Sequence, residues 1–188
     1  MIYFTSDTHF SHEKILKLGN GRPFGSVTEM NEVLIKNWNS KVGPSDTVYH
    51  LGDFCWNQNS KQIKQLLGKL NGVKYLIYGN HDRLMPNEKS NSWMEIVPYK
   101  ELHVNNRQIV LCHYPMAEWH GAFRGSIHLH GHVHGTFDYS QHNFPHHNHY
   151  IYDVGVDSNN YSPISLEEIF NKLGVKQSNV LCTGTYTK

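Results

Sequence analysis

The chain has 188 residues, enough for one domain with a sizeable core and too few for two comfortable ones. A hydrophobic share of 38% against 18% charged residues describes a globular chain rather than a disordered one. Lys and Arg number 17 against 16 Asp and Glu, a net charge of +1, which argues against a protein that grips nucleic acid through an extended basic surface.

Ile2 to Ser6 is a short apolar run ending in polar residues and reads as a buried strand. Ser26 or Thr28 can cap a helix whose apolar positions are Met30, Val33, Leu34 and Trp38, and Gly43-Pro44 stops it. Thr47 to Leu51 is the next strand. Ser60 to Leu70 is a helix with Ile63, Leu66, Leu67 and Leu70 on one face, and Val73 to Tyr78 is a third strand. Strand, helix, strand, helix, strand favours parallel pairing through crossovers. Lys100 to Val104 and Arg107 to Cys112 flank Asn105-Asn106, the pattern of a hairpin. Ile127 to His130 and Tyr150 to Val154 read as strands, and Thr136 to His149 as a loop. Ser165 to Leu173 is a helix with a capping box from Ser165 to Glu168, and Val180 to Thr183 a last edge strand. The expectation is one α/β domain over residues 1–188 with a mixed sheet or a pair of sheets.

Three scattered cysteines, Cys55, Cys112 and Cys182, form no CxxC pair, which fits a reducing cytoplasm. The opening MIYFTSDTHF lacks the basic start and apolar centre of a signal peptide. No run approaches the roughly 18 apolar residues of a membrane span. A cytoplasmic protein without membrane contact is expected. Histidine is the unusual residue: there are 15, nine of them between His120 and His149. Metal binding is the first explanation to test.

Polar residues gather where the strands end. Asp7-Thr8-His9 follows the first strand, Gly52-Asp53 the second, and Gly79-Asn80-His81-Asp82 the third. His113 ends the strand that closes the hairpin, and Gly131-His132-Val133-His134 follows the Ile127 strand. Open α/β sheets place their sites at the C-terminal ends of strands. Carboxylate and imidazole together suit Mn, Fe, Zn or Ni rather than calcium. The glycines before Asp53, Asn80 and His132 let the backbone turn sharply. Each block alone is commonplace and reads equally well as a turn; five in this order do not.

The ordered set resembles the calcineurin-like metallophosphoesterase family over nearly the whole chain. The stretches DTHFSHEKI, RPFGSVTEMN, YHLGDF, YGNHD, LCHYP and GHVHG are similar to a branch of small bacterial and phage-type phosphoesterases. The resemblance implies a four-layer α/β/β/α sandwich with two mixed β-sheets and two divalent metal ions, with manganese favoured, at the strand ends. It implies that Asp7, His9 and His134 hold one ion and Asn80, His113 and His132 the other. Asp53 bridges them, and His81 stands beside the site as proton donor. Two such ions leave the pocket net positive after the charges of Asp7 and Asp53, which suits a phosphate ester. They also favour in-line attack by hydroxide without a phosphoenzyme.

One departure bears on substrate. Phosphoprotein phosphatases of the family carry an Asp that pairs with the catalytic His, and a phosphate-gripping Arg, after the Gly-Asp block. Trp56 and Asn57 stand at those two places here. A phosphodiester or nucleotide is thereby favoured over a phosphoprotein. A phosphomonoesterase on the same site, and a non-catalytic interaction scaffold, are the alternatives. A small phosphoester is the expected partner, and the oligomeric state is left open.

Among the remaining residues, Arg22 is expected to reach a phosphate, with an exposed loop arginine as the alternative. His12 is placed to approach substrate. The segment 114–126 with Trp119 and Arg124, and the segment 136–150 with Phe137, Tyr139 and Phe144, can form a rim that stacks a base. They can equally pack on each other. His128 and His130 share one strand face as partners for ligand residues, and His50 and His103 are expected to be hydrogen-bonded within strands. Cys55 and Cys112 are expected to be buried small apolar residues. His142, His146, His147 and His149 form a tract able to bind adventitious metal.

Overall fold

Alternation along the first strand already divides the molecule into layers. In the computed structural model, which describes residues 1–19, 21–82, 92–139 and 150–175, β1 spans Ile2–Thr5. Tyr3 faces one core and Phe4 the other. The same split recurs in β2 (Thr47–His50), with Val48 and Tyr49, and in β3 (Val73–Ile77), with Leu76 and Ile77. Each strand is therefore apolar on both faces, as a sheet covered on both sides requires.

The first core is closed by two helices. α1 (Val27–Lys41) starts where Ser26 accepts a hydrogen bond from the Glu29 amide at 3.1 Å, and it buries Met30, Leu34 and Trp38. Trp38 donates from Nε1 to the Asn71 carbonyl at 3.0 Å, which ties the helix to the turn before β3. α2 (Ser60–Leu67) opens on a capping box between Asn59 and Gln62 and buries Ile63 and Leu67. It ends three residues earlier than the sequence pattern predicts. Beyond Gly68 the amides of Lys69 and Leu70 bond to Leu66 and Leu67 in a tighter turn, which still buries Leu70.

β1, β2 and β3 pair in parallel, as the crossovers predict. Two edge strands of two residues each complete the five-stranded sheet in the order β4-β3-β2-β1-β9: β4 (Ile96–Val97), parallel to β3, and β9 (Ile164–Ser165), antiparallel to β1. Strands this short carry no readable period in the sequence.

The second sheet has the order β5-β6-β7-β8. β5 (Tyr99–Val104) and β6 (Arg107–Cys112) form the expected hairpin. Asn105 and Asn106 both adopt positive φ, 51° and 59°, the geometry that suits a two-residue connection between twisted strands. β7 (Ile127–His130) and β8 (Ile151–Asp153) then add in parallel. Both sheets are mixed. Ile109, Leu111, Ile127 and Leu129 meet Phe4, Tyr49 and Ile77 in the core between them. α3 (Leu166–Lys172), with its predicted Ser165–Glu168 capping box, seats Ile169 and Phe170 in that same core.

The outer face of the second sheet presents His128 and His130, covered by Trp119 and Tyr139. The proposed strand at Val180 to Thr183, Cys182 and the tract of His142, His146, His147 and His149 with Phe144 lie outside the described residues. No helix among the described residues is long and apolar enough to cross a membrane.

Candidate metal centre

β1, β2, β3, β6 and β7 deliver every predicted metal ligand, and His81, at their C-terminal ends. The turns that follow are strained. Asp7, His9, Asp53, His132 and His134 have φ between 46° and 73°, a left-handed conformation costing roughly 1–2 kcal/mol per non-glycine residue. Such outliers persist where surrounding structure over-determines them, typically at functional sites.

Two of the three neighbouring glycines serve a different purpose from the one the sequence suggests. Of the three, Gly52 makes the left-handed turn, with φ of 93°; Gly79 and Gly131 instead supply space. A Cβ on Gly131 would lie 2.1 Å from Ser6 Oγ and 2.3 Å from Asp7 Oδ2. One on Gly79 would lie 2.4 Å from Asp53 Oδ1. The strand ends of the two sheets approach one another only because these side chains are absent.

Two groups of donor atoms result. Asp7, His9 and His134 bring one atom each to within 4.8 Å of one another, and so do Asp53, His113 and His132. Asp53 Oδ2 stands between the groups, 3.5 Å from His9 Nε2 and 3.6 Å from His113 Nε2. Asn80 Oδ1 joins the second group, 3.0 Å from His113 Nε2. His81 is partly exposed at the edge, its Nε2 3.9 Å from Asp53 Oδ2.

The hydrogen bonds around these atoms leave acceptors facing acceptors. His113 Nδ1 lies 2.7 Å from the Leu51 carbonyl, so the proton is on Nδ1 and the Nε2 lone pair faces Asn80 Oδ1 and Asp53. His134 Nδ1 is likewise 2.7 Å from Asp157 Oδ2, which turns its Nε2 toward Asp7 Oδ1 at 3.8 Å. Asp7 Oδ1 and His9 Nε2 are buried without a hydrogen-bond partner among the described residues. Buried polar atoms are nearly always satisfied, and a divalent cation satisfies several lone pairs at once. The residues present fit such an ion. Burial pushes the Asp7 carboxyl up to about 7, against the pull of His113, His134 and Ser6. Burial, with the neighbouring His134 and Arg22, pushes His9 down to about 2. The protein alone thus disfavours charge on both groups, and a cation reverses that preference for the carboxylate.

Several supporting residues emerge only in three dimensions. Asp157 accepts from Arg22 Nε at 2.9 Å and Nη2 at 2.8 Å as well as facing His134. It follows β8 just as the other site residues follow their strands, so extending the strand-end reading to Tyr150–Val154 finds it. Burial raises its pKa, but His134 and Arg22 outweigh that and hold the carboxyl below its usual range. Asp82, the last residue of the Gly-Asn-His-Asp block, accepts from the amides of Asp53, Phe54 and Gly79 at 2.7, 2.9 and 2.8 Å. It pins the second and third strand-end loops together.

A cavity of about 670 Å³ opens over the site, lined by His9, His12, His81, His132 and His134 and extending toward Ile15, Leu18 and Tyr161. His12 is therefore at the site. Arg22 also lines the cavity, but it does not fit the phosphate contact expected of it. Its remaining donors go to the carbonyls of Thr8 and Asp7 and to Met30 Sδ, so all five N–H groups are engaged. It is a buried clamp under the Asp7–His9 loop.

Trp119 and Arg124 lie away from this cavity. Trp119 packs on His128 and donates to the Ser126 carbonyl at 3.3 Å, while Arg124 stacks on exposed Phe123. The Trp119 part of the segment 114–126 therefore packs on the second sheet instead of forming a rim, whereas Tyr114 stays at the site, its ring edge-on to His113 and His132. His128 and His130 bond to backbone groups and to Tyr139 rather than to candidate ligands. His50 is buried and hydrogen-bonded to Thr8 as expected, whereas His103 is exposed on the edge strand β5. Cys55 is buried, and burial pushes its thiol up to about 12; Cys112 is half-buried.

Comparison with known proteins agrees with this geometry. A family model described as calcineurin-like phosphoesterase matches residues 1–172. The chain is 38% identical over 169 residues to the uncharacterized protein MJ1445 of Methanocaldococcus jannaschii, covering 89% of this chain and 88% of that one. The gene 66 protein of Mycobacterium phage L5 is 29% identical, over 74% of this chain and 80% of its own. Among solved structures, the protein of unknown function AQ665 from Aquifex aeolicus aligns with a TM-score of 0.73 at 31% identity, covering 92% of this chain and 98% of that one.

Proposed function

Because the chain belongs to the calcineurin-like phosphoesterase family, we propose that it is a phosphodiesterase acting on a nucleotide or another small phosphoester at a two-cation centre. The observation that carries the reading is the position of Asp53 Oδ2, within 3.6 Å of a ligating nitrogen from each group. In this reading Asp7, His9 and His134 hold one ion, Asn80, His113 and His132 the other, and Asp53 belongs to both. Cations held there would supply Lewis acidity toward the phosphoryl oxygens and toward an attacking water. Manganese suits the mixture of carboxylate, imidazole and amide donors.

The chain's own residues supply the rest. The Asp157 carboxylate fixes the His134 ring and the Leu51 carbonyl fixes the His113 ring, so that each presents Nε2 to the site. His81, partly exposed on the cavity wall, is the group that protonates the departing alkoxide. The preference for a diester rests on charge. Arg22 has no spare donor, and among the described lining residues no other arginine or lysine is present to match the second charge of a monoester.

The test uses protein loaded with Mn²⁺ and compares bis(4-nitrophenyl) phosphate with 4-nitrophenyl phosphate, in water labelled with ¹⁸O. Faster turnover of the diester, with one labelled oxygen in the released monoester, is expected. Faster turnover of the monoester would reassign the enzyme as a phosphomonoesterase. No turnover of either ester with two ions bound would favour a non-catalytic scaffold.

A further inference from the structure

His81 has a role that demands orientation, yet among the described residues no carboxylate holds its ring. Its backbone amide donates to Asp53 Oδ1 at 2.9 Å, which places the main chain and leaves the ring free to turn about its side-chain bonds. The nearby Asp53 Oδ2, 3.9 Å from Nε2, is beyond hydrogen-bond distance. A histidine that must move a proton at a defined atom needs its ring fixed by something else.

Two rings pack against the His81 ring: that of His9, itself a candidate ligand, at 5.5 Å between centroids and 61° between planes, and that of Trp56. The Trp56 and His81 ring centroids are 5.0 Å apart with planes at 60°. The indole also stacks on His12, at 4.1 Å between centroids and 10° between planes. The stack is anchored from both ends. The Trp56 amide donates to the Phe10 carbonyl at 2.9 Å, and Phe10 forms a bridge with Cys55. The His12 amide donates to the His9 carbonyl at 3.0 Å, and its Nδ1 lies 3.4 Å from His9 Nδ1. His12 is buried and Trp56 half-buried, so the indole is a fixed plate against which a partly exposed imidazole rests.

We infer that Trp56, backed by His12, is a positioning residue that holds the His81 imidazole in the orientation from which it protonates the leaving group, and this rests on the reading of His81 as proton donor. As the oxygen of the attacking water bonds to phosphorus and the P–O bond to the leaving group breaks, the imidazolium gives its proton to the departing oxygen and becomes neutral. The proton lost by the attacking water passes to solvent, and solvent returns one to His81. Tilted ring contact restricts rotation as a carboxylate hydrogen bond would, without adding a negative charge beside the phosphate.

The experiment compares Mn²⁺-loaded wild type, Trp56→Leu, Trp56→Phe, His81→Gln and the double variant Trp56→Leu/His81→Gln on two diesters, one losing 4-nitrophenolate and one losing phenolate. A poor leaving group depends more on protonation, so Trp56→Leu is expected to lower kcat about tenfold for phenolate and about twofold or less for nitrophenolate, with KM little changed. Trp56→Phe keeps a flat ring and should recover most of the loss. In the His81→Gln background the Trp56→Leu change should have no further selective effect. Equal slowing of both substrates by Trp56→Leu, or the same selective loss without His81, overturns the inference while His81 stays the donor. A His81→Gln variant that shows no leaving-group dependence overturns the donor reading itself, and the inference with it. Should Trp56→Leu not fold, the wild-type protein still decides: the His81 ring proton, assigned by comparison with His81→Gln, must show an upfield ring-current shift from the indole, and its absence overturns the contact.

Discussion

Asp157→Asn tests the supporting network most directly. Three charge-assisted contacts converge on this carboxylate: Arg22 Nε, Arg22 Nη2 and His134 Nδ1. Oδ2 takes two of these contacts and Oδ1 one, so the single acceptor oxygen of asparagine loses one or two of the three, turns an NH2 toward a buried donor and removes the charge from the rest, about 3 kcal/mol together. The Arg22 side chain is only 2% exposed, so water does not replace the missing partner. The expectation agrees with the ~3–5 kcal/mol typical of removing one member of a buried ion pair. For a chain of this length it lowers the melting temperature by roughly 6–12 °C. The His134 ring also faces a neutral amide in place of the carboxylate that orients it, which weakens Mn²⁺ binding by about 10–100-fold. Melting in chelator measures the first effect, and calorimetric titration with Mn²⁺ the second. A variant melting within about 2 °C of wild type in chelator would refute the clamp. Unchanged Mn²⁺ affinity beside a lowered melting temperature would refute the link to His134.

Gly131→Ala should lower stability by about 1–3 kcal/mol and weaken metal binding, because the added methyl overlaps Ser6 and Asp7 and forces the two strand ends apart; denaturant titration and metal analysis of the purified variant check it. Arg124→Ala should leave turnover unchanged, since Arg124 stacks on Phe123 outside the cavity, and steady-state kinetics on the diester decide this. Burial, with His130 beside it, pushes His128 down to about 3, well below its value in the unfolded chain. The unfolded state therefore binds a proton that the folded state refuses, so stability present above pH ~6.5 falls as pH drops toward 3, by about 2 kcal/mol at pH 5. Melting curves in chelator at pH 7 and pH 5 should show a shallower decline for His128→Asn than for wild type, and parallel declines would contradict the assignment.

The sequence by itself determined which residues meet. Five short strands, each with an apolar face and each ending in Asp, His or Asn, have one economical arrangement, with parallel pairing that brings their C-terminal ends to one edge. The helix caps at Ser26 and Ser165 and the Asn105-Asn106 turn are local chemistry and were readable for the same reason. Other features depend on packing between distant segments. Arg22 could be an exposed phosphate contact or a buried clamp until Asp157, 135 residues away, took its guanidinium. Gly79 and Gly131 looked like turn residues until the second sheet closed over the first and made space their purpose. The loop with Trp119 looked like a rim until it folded back onto His128. Trp56 looked like a missing carboxylate, because neither its own neighbours in sequence nor its type reveals that its indole stacks on His12 and packs against His81. A periodic pattern fixes which way a side chain points along its own strand; which partner it finds there is settled by the long-range approach of the sheets.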